Sequence, residues 1–313
     1  MVCILLHSCY NFLKERVKQM NYIIFDLEWN QPPEENVVIR DPVYLSGEIV
    51  QIGAVKLNDS YETVDELRLY IRPQYYTKMH RRIASLTGIR DKDLQEKGVP
   101  FPEAFAQFQQ WCGTEFAYMT WSTSDLPMLV DNMLLHHLEQ YELPVCYDIQ
   151  RIFAREIMRS TQRYSLDHAL EILNEQGDAA HDALHDARNT AKVCAHLDLE
   201  DYLEEYGSRV FCEEQSQKQY ASCREVLEDS GLSRFACPLC GEEVVCEPWL
   251  PFYFGSYIAM GSCCDGDEFI VQLMPEKDAF GTYCAKRLFF EMSDDFWEVW
   301  QDKKAQQETN AFC

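Results

Sequence analysis

The run from Tyr22 to Trp29 (Tyr-Ile-Ile-Phe-Asp-Leu-Glu-Trp) is apolar until it meets two acids, the pattern of a buried strand. Glu48 to Leu57 reads as a second strand, and Val64 to Ile71, closed by Arg72-Pro73, as a third. Short connections between them predict an antiparallel meander. The period then changes. Phe101, Ala104, Phe105, Phe108 and Trp111 fall at helical spacing after Pro100. Phe116 to Trp121 returns to strand, and Leu126 to Leu138 predicts a helix capped by Ser124 or Asp125. Val145 to Ile149 is a short strand, followed by helical stretches near 150–159, 166–174 and 182–197. Strands first, then strand–helix alternation, predict an α/β fold with a mixed sheet flanked by helices.

Further along, Trp249, Phe252, Tyr253, Phe254 and Tyr257, then Phe269 to Leu273, read as short antiparallel strands. Ser293 opens a last helix with early acids. At ~100–150 residues per domain, 313 residues suit two domains. The expected division is an N-terminal appendage over 1–19, a first domain over 20–205 and a second over 206–313. Met20 directly precedes the first strand, so either Met1 or Met20 serves as the start. With 47% hydrophobic and 26% charged residues, general disorder is excluded. No uncharged apolar run approaches the ~20 residues of a membrane span. The apolar opening lacks a basic start and soon meets Lys14, Glu15 and Arg16, which makes a poor signal peptide. Fourteen cysteines, some clustered at metal-like spacing and the rest scattered, fit a reducing cytoplasm.

The net charge of −24 argues at first against nucleic acid. The basic residues, however, are grouped. Arg68, Arg72, Lys78, Arg81, Arg82 and Arg90 lie between Leu67 and Arg90 with no acid among them, and Tyr70, Tyr75 and Tyr76 are interleaved. Arg151, Arg155, Arg159 and Arg163 recur every four residues, one stripe if the helix is continuous. Either group alone is a solvated face; the two together keep a phosphate-binding surface in view.

Asp26 and Glu28 are separated by one residue near the end of a strand, so both carboxylates leave the same face and Leu27 leaves the other. Two like charges delivered to one point by an apolar strand are costly unless a cation neutralises them. Asp125 opens a helix, where an N-cap is its plain role. In the segment Ala180 to Ala187, three readings stand side by side. His181 and His185 could chelate zinc from one helical face; the segment could be a polar helix start; or His181 and Asp186 could act as a pair. Five residues diverge by about 140° on a regular helix, so that pair converges only if His181 precedes the helix.

Asp26-Leu27-Glu28, Asp125 after Thr120-Trp121, and His181-x4-Asp186, in that order, resemble the three motifs of the DEDDh family of 3′–5′ exonucleases. Glu48-Ile-Val-Gln-Ile-Gly-Ala-Val, Leu86-Thr-Gly-Ile and Ser165-Leu-Asp-His-Ala-Leu fit as well. Trp121-Ser-Thr-Ser-Asp is most similar to the Eri-type branch, whose members process RNA. The resemblance covers residue 21 to about 200 and implies an RNase H-like fold with a mixed five-stranded sheet. It also implies two Mg2+ or Mn2+ ions, with Asp26 bridging, Glu28 and Asp186 completing one site and Asp125 contributing through the other or through water. Four carboxylates with no nearby cysteine agree with hard cations. His181 is then the general base, since an imidazole of ordinary pKa near ~6.5 accepts a proton at neutral pH. Leu27, Trp29 and Asn30 become candidates for gripping terminal nucleotides of single-stranded RNA or DNA. The expected activity is release of nucleotides from 3′ ends of RNA or other single strands. The rivals are a DNA-directed exonuclease and a catalytically silent module that recruits a protein.

Beyond Tyr206 the resemblance stops. Cys237-Pro-Leu-Cys240-Gly has the form of a zinc knuckle, and Cys263 and Cys264 follow at a ribbon-like separation. Those two are adjacent rather than spaced by two, so Cys246 or Cys284 is an alternative, as are free buried thiols. The expectation is a small zinc-ribbon-like α+β domain with a structural Zn2+. The charge of −13 over residues 201–313 speaks against a nucleic-acid clamp and for a protein partner or a stabilising appendage.

Overall fold

The computed structural model describes residues 20–32, 45–122, 124–138, 141–212, 216–252, 255–277 and 281–311. The expected appendage over 1–19, and Tyr253 and Phe254, lie outside them. The first apolar run forms β1 (Asn21–Asn30), followed by β2 (Glu48–Leu57) and β3 (Thr63–Tyr70). These three pair antiparallel, as the short connections predict. Then come α1 (Arg81–Thr87), α2 (Asp91–Lys97), α3 (Phe101–Cys112), β4 (Phe116–Thr120) and α4 (Asp125–Leu135). They are followed by β5 (Cys146–Asp148), α5 (Ile149–Glu156), α6 (Leu166–Leu173), α7 (Ala183–Cys194) and α8 (Leu199–Tyr206). β4 joins β1 in parallel and β5 joins β4 in parallel. A two-residue strand, β6 (Gly207–Ser208), closes the edge antiparallel to β5, giving the order β3-β2-β1-β4-β5-β6. The sheet therefore has one strand more than expected, and its chemistry-bearing strand lies inside it.

Alternation along β1 decides what each face carries. Ile23, Phe25 and Leu27 enter a core shared with Phe101, Phe105 and Phe108 of α3 and Leu126, Leu129 and Met133 of α4. Ile24 enters the opposite core, with Ile149 and Ile152 of α5 and Leu184 and Ala187 of α7. Asp26 and Glu28 continue the Ile24 face, on the side of α7.

Helices α1 and α2, seven residues each, escape the periodicity because each buries a single apolar side chain, Ile83 and Leu94. Two expectations about the basic groups are corrected. α5 stops at Glu156, and Arg159 has φ 50°, so the four arginines do not form one helical stripe. In the first group, Arg68 pairs with Asp182 at 2.5 Å, Arg72 donates to the Gly98 carbonyl and Lys78 pairs with Asp91. Tyr76 is buried, its hydroxyl donating to the Leu45 carbonyl. Three of the six basic residues are thus tied within the fold, while Arg81 and Arg82 stay exposed.

The C-terminal residues build more than a ribbon. β7 (Val210–Cys212), β8 (Ser216–Tyr220), α9 (Cys223–Glu228), β9 (Arg234–Ala236), β10 (Glu243–Val245), β11 (Leu250–Pro251), β12 (Tyr257–Ser262), β13 (Glu268–Lys277) and β14 (Tyr283–Glu291) precede α10 (Asp294–Ala311). A second, antiparallel sheet runs β11-β12-β13-β14-β7, with β8 also on β14, while β9 and β10 form a separate hairpin. Val210, Leu288 and Phe290 belong to the same buried cluster as Phe25 and Leu129, so the hydrophobic core is continuous between the sheets. Lys286 of β14 donates to Asp131 of α4 in a buried ion pair at this junction.

Candidate active site

Asp26 and Glu28 stand side by side on β1, where a bulge between Glu28 and Trp29 shifts the register against β2. Asp125 is the first residue of α4 and is only 5% exposed. Its capping role is not realised. Its Oδ1 instead accepts the N–H of Leu27 at 3.0 Å, which ties the start of α4 to the strand between the two acids.

The third motif depends on how α7 begins. Asp182 is its N-cap, accepting the His185 N–H at 3.2 Å. His181 lies one residue earlier in the left-handed region, φ 67°. Because it precedes the helix, it converges on Asp186: its N–H donates to Asp186 Oδ2 at 2.9 Å. Single ligand-type atoms of Glu28, His181 and Asp186 all lie within 4.8 Å of one another. His185 turns elsewhere, its Nδ1 3.2 Å from the Ala179 carbonyl, so the two histidines do not form a chelating pair.

Two residues that sequence reasoning quoted without assigning a role set this arrangement. Gln51 on β2 is fully buried; its Oε1 accepts the Ala183 N–H at 2.8 Å and its Nε2 donates to Asp182 Oδ2 at 3.2 Å. At Gly53 an added Cβ would fall 2.0 Å from the Leu184 nitrogen and 2.1 Å from the Ala183 carbonyl carbon. Only glycine lets the first turn of α7 lie against the sheet. The available signal was a glutamine and a glycine inside an otherwise apolar strand.

The acids and His181 line one cleft of about 500 Å3. Leu27, Trp29, Arg82, Leu86 and Trp121 line it too. Trp29 also packs on the core, with its ring over Gly47, where a Cβ would come within 2.4 Å of its Cδ1. Asn30 is not a wall of the cleft and is corrected from a substrate contact to a brace. It is fully buried, donating to the Tyr76 and Lys78 carbonyls at 2.8 Å and accepting the His80 N–H.

Every carboxylate of the cluster is held above its ordinary range, first by burial. Asp26 is raised well above it by burial and then by Asp125, Asp186 and Glu28. Glu28 is pushed up to about 8 by burial and then by Asp186 and Asp125. Asp125 is pushed up to about 7 by burial, against the Leu27 N–H that favours its charge. Asp186 is raised by burial, opposed by the N–H of His181. Four acids, Asp125 buried and the other three half-buried, repelling one another fit a site for cations.

Residues 23–194 match the family model described as Exonuclease, RNase T. The chain belongs to this exonuclease family. It is a DEDDh 3′–5′ exonuclease, and its mixed sheet with flanking helices fits the RNase H-like α/β fold. Among solved structures, the nuclease domain of 3′hExo, a DEDDh family member bound to rAMP, is 23% identical, covering 59% of this chain and 94% of that one with a TM-score of 0.49. Cell-death related nuclease 4 (CRN-4) is 21% identical, covering 58% of this chain and 64% of that one, with a TM-score of 0.46. E. coli exonuclease I in complex with a dT13 oligonucleotide is 11% identical, covering 78% of this chain and 54% of that one, with a TM-score of 0.46. No curated protein matches the sequence. No helix among the described residues of the exonuclease is long and apolar enough to cross a membrane.

In the C-terminal region, the sulfurs of Cys237, Cys240 and Cys263 lie within 4.8 Å of one another. Two tight turns bring them there. Gly241 (φ 81°) donates its N–H to the Cys237 carbonyl at 2.8 Å, and Gly266 (φ 91°) donates to the Cys263 carbonyl at 3.1 Å. Cys264 falls in a second group, with Cys240 and Asp265. Cys246 and Cys284 are in neither group; Cys284 donates to the Glu276 carbonyl.

Proposed function

We propose that Asp26, Glu28, Asp125 and Asp186 hold two divalent cations, Mg2+ or Mn2+, with His181 as general base for release of 3′-terminal nucleotides from RNA and other single strands. The observation that carries this reading is the convergence of four burial-strained carboxylates and one imidazole on a single cleft. Asp26 feels Asp125, Asp186 and Glu28 together, which suits the bridging position. Oxygen donors without a thiol favour hard cations over zinc. When bound, such ions neutralise charge on the phosphate and on the leaving 3′-oxygen and make water a better nucleophile.

The chain's own residues supply the rest. His181, exposed at the cleft's edge, accepts the proton of the attacking water. Water oxygen bonds to phosphorus, the bond to the 3′-oxygen breaks, that oxygen takes up a proton from solvent to become a hydroxyl, and a nucleoside 5′-monophosphate leaves a strand shortened by one. Trp29 supports the terminal base, Leu27 backs that wall from the core side, and Arg82 on α1 is placed to meet a phosphate. The Trp121 to Asp125 wording, similar to the Eri-type branch, favours RNA. The test is incubation of end-labelled RNA and DNA oligomers with Mg2+ or Mn2+, reading product ladders from each end. Ladders shortening from the 3′ end, faster on RNA, are expected; cleavage only from the 5′ end would refute the reading.

A second feature supports a structural zinc at Cys237, Cys240 and Cys263. The second turn carries Gly266 where a second knuckle would place a cysteine, so Cys264 or a nearby carboxylate of Asp265 or Asp267 supplies the fourth ligand. Elemental analysis of reduced full-length protein should find about one zinc per chain. On this reading residues 20–205 form the nuclease unit and 206–313 a second unit that shares its core.

A further inference from the structure

The catalytic cleft does not end at the catalytic residues. A second and larger cleft, of about 840 Å3, shares Trp29, Gln31, Trp121, Ser124 and Leu166 with it. Its far wall is the C-terminal sheet. Gln272, Met274 and Glu276 alternate on one face of β13 and line it, together with Phe252 and Lys286. Its volume is in the range of pockets that enclose ligands, ~300–1,000 Å3.

The lining states what it accepts. Asp131 and Lys286 satisfy each other in their buried ion pair. Apart from these two, Glu276 and Arg163, the residues around the cleft are neutral, and they combine aromatic and thioether surface (Trp29, Trp121, Tyr164, Phe252, Met274) with amides and hydroxyls. That is the chemistry of stacked bases with their edges hydrogen-bonded, rather than of a row of phosphates. Three of the lining side chains also carry a buried polar atom without a partner: Trp121 Nε1, Gln150 Oε1 and Glu276 Oε2. Buried groups of this kind are costly and call for a partner.

We infer that the C-terminal sheet is the second wall of the strand path, and that the nucleotides preceding the 3′-terminal one lie with their bases between Trp121 and Tyr164 on one side and Phe252, Gln272 and Met274 on the other. This rests on the proposed exonuclease reading of the adjoining cleft. The local lining, not the −13 charge over residues 201–313, decides what the groove takes. A single strand is the committed occupant, because the groove is continuous with the cleft in which the 3′ end reacts.

The experiment measures kcat and KM of the full-length protein in Mg2+ on single-stranded RNA of two to eight nucleotides. KM should fall more than tenfold from the dinucleotide to the pentanucleotide and then level off. Phe252→Ala and Gln272→Ala, shown folded by thermal melting, should raise KM for the pentanucleotide about tenfold for the aromatic, roughly the loss of one stacked base, with kcat nearly unchanged. Anisotropy of a fluorescent pentanucleotide on the Asp26→Asn protein, with and without Phe252→Ala, reads the same groove without turnover. A KM independent of length, with both variants silent, overturns the inference while leaving the catalytic cleft as proposed. Absent hydrolysis at every length, with strand binding that still depends on Phe252, supports the groove and overturns the catalytic reading instead.

Discussion

Gln51 and Asp182 lie 131 residues apart in the chain, and their side chains meet at 3.2 Å. Through this contact, and the adjoining bond to the Ala183 N–H, a strand of the sheet sets where α7 starts. Asp186 sits one turn later, so the position of the fourth acid is decided on β2.

The tightest point of that contact is Gly53, and Gly53→Ala should be costly. The methyl would meet backbone rather than a side chain that can swing away. Overpacking of this kind costs ~1–3 kcal/mol. We expect a lower melting temperature and at least a hundredfold loss of nucleotide release, because Asp186 moves with the helix. A variant with wild-type kcat would show that α7 can be displaced without harm.

Asp26→Asn should abolish nucleotide release and leave the fold intact. It also bears on pH. Glu28 and Asp125 are pushed up to about 8 and about 7 in the folded chain, above the ~4 of an unfolded carboxylate. A raised folded pKa contributes stability below the unfolded value and loses it as pH rises through the folded one. Metal-free protein in EDTA should therefore melt at progressively lower temperature from pH 5 to pH 9. Asp26→Asn should flatten that slope, and Mg2+ or Mn2+ should restore more stability at pH 9 than at pH 5. A melting temperature equally steep in the variant would place the pH response elsewhere.

The two histidines should separate cleanly. His181→Ala is expected to lower kcat by two or more orders of magnitude with little change in strand binding. His185→Ala, whose ring faces the Ala179 carbonyl, should stay within severalfold of wild type. Asp182→Ala removes the cap together with the bonds to Gln51 and Arg68, so it should cost stability, about 1 kcal/mol for the cap alone, and lower kcat far less than Asp186→Ala does. Comparable kcat losses at His181 and His185 would return the chelating pair to consideration.

Lys286→Met strands Asp131 without its buried partner, and breaking such a pair costs ~3–5 kcal/mol. Lys286→Met combined with Asp131→Leu should recover most of that loss. Chemical denaturation of the single and double variants checks this; no recovery would mean that the pair does more than neutralise itself.

Much of the site was legible because its chemistry follows local periodicities. Asp26 and Glu28 share a face because strands alternate, and His181 reaches Asp186 because it stands before the helix. Asn30 was misread since its neighbours in sequence line the cleft, while its own amide is taken up by the 76–80 segment, which only the folded chain brings near. The arginine stripe failed because spacing cannot show where α5 stops. Gln51 and Gly53 drew notice only as part of a motif, for their meaning lies in a helix more than a hundred residues away. The second sheet was underestimated because its strands alternate imperfectly, with apolar residues on both faces of β13.

The continuity of the core has a consequence for how the protein comes into being. Leu288 and Phe290 help cover the face of the nuclease sheet, yet they are made after nine-tenths of the chain. As synthesis proceeds from the N-terminus, the four acids of the cleft are complete long before their supporting layer exists. Until β14 emerges, α4 rests on the nuclease sheet and α3, and the part of the core that Leu288 and Phe290 close stays open to water. A chain interrupted near residue 208 thus keeps every residue of the cleft but loses the apolar cover of Leu288 and Phe290, so its activity and its melting temperature report separately on the site and on that cover.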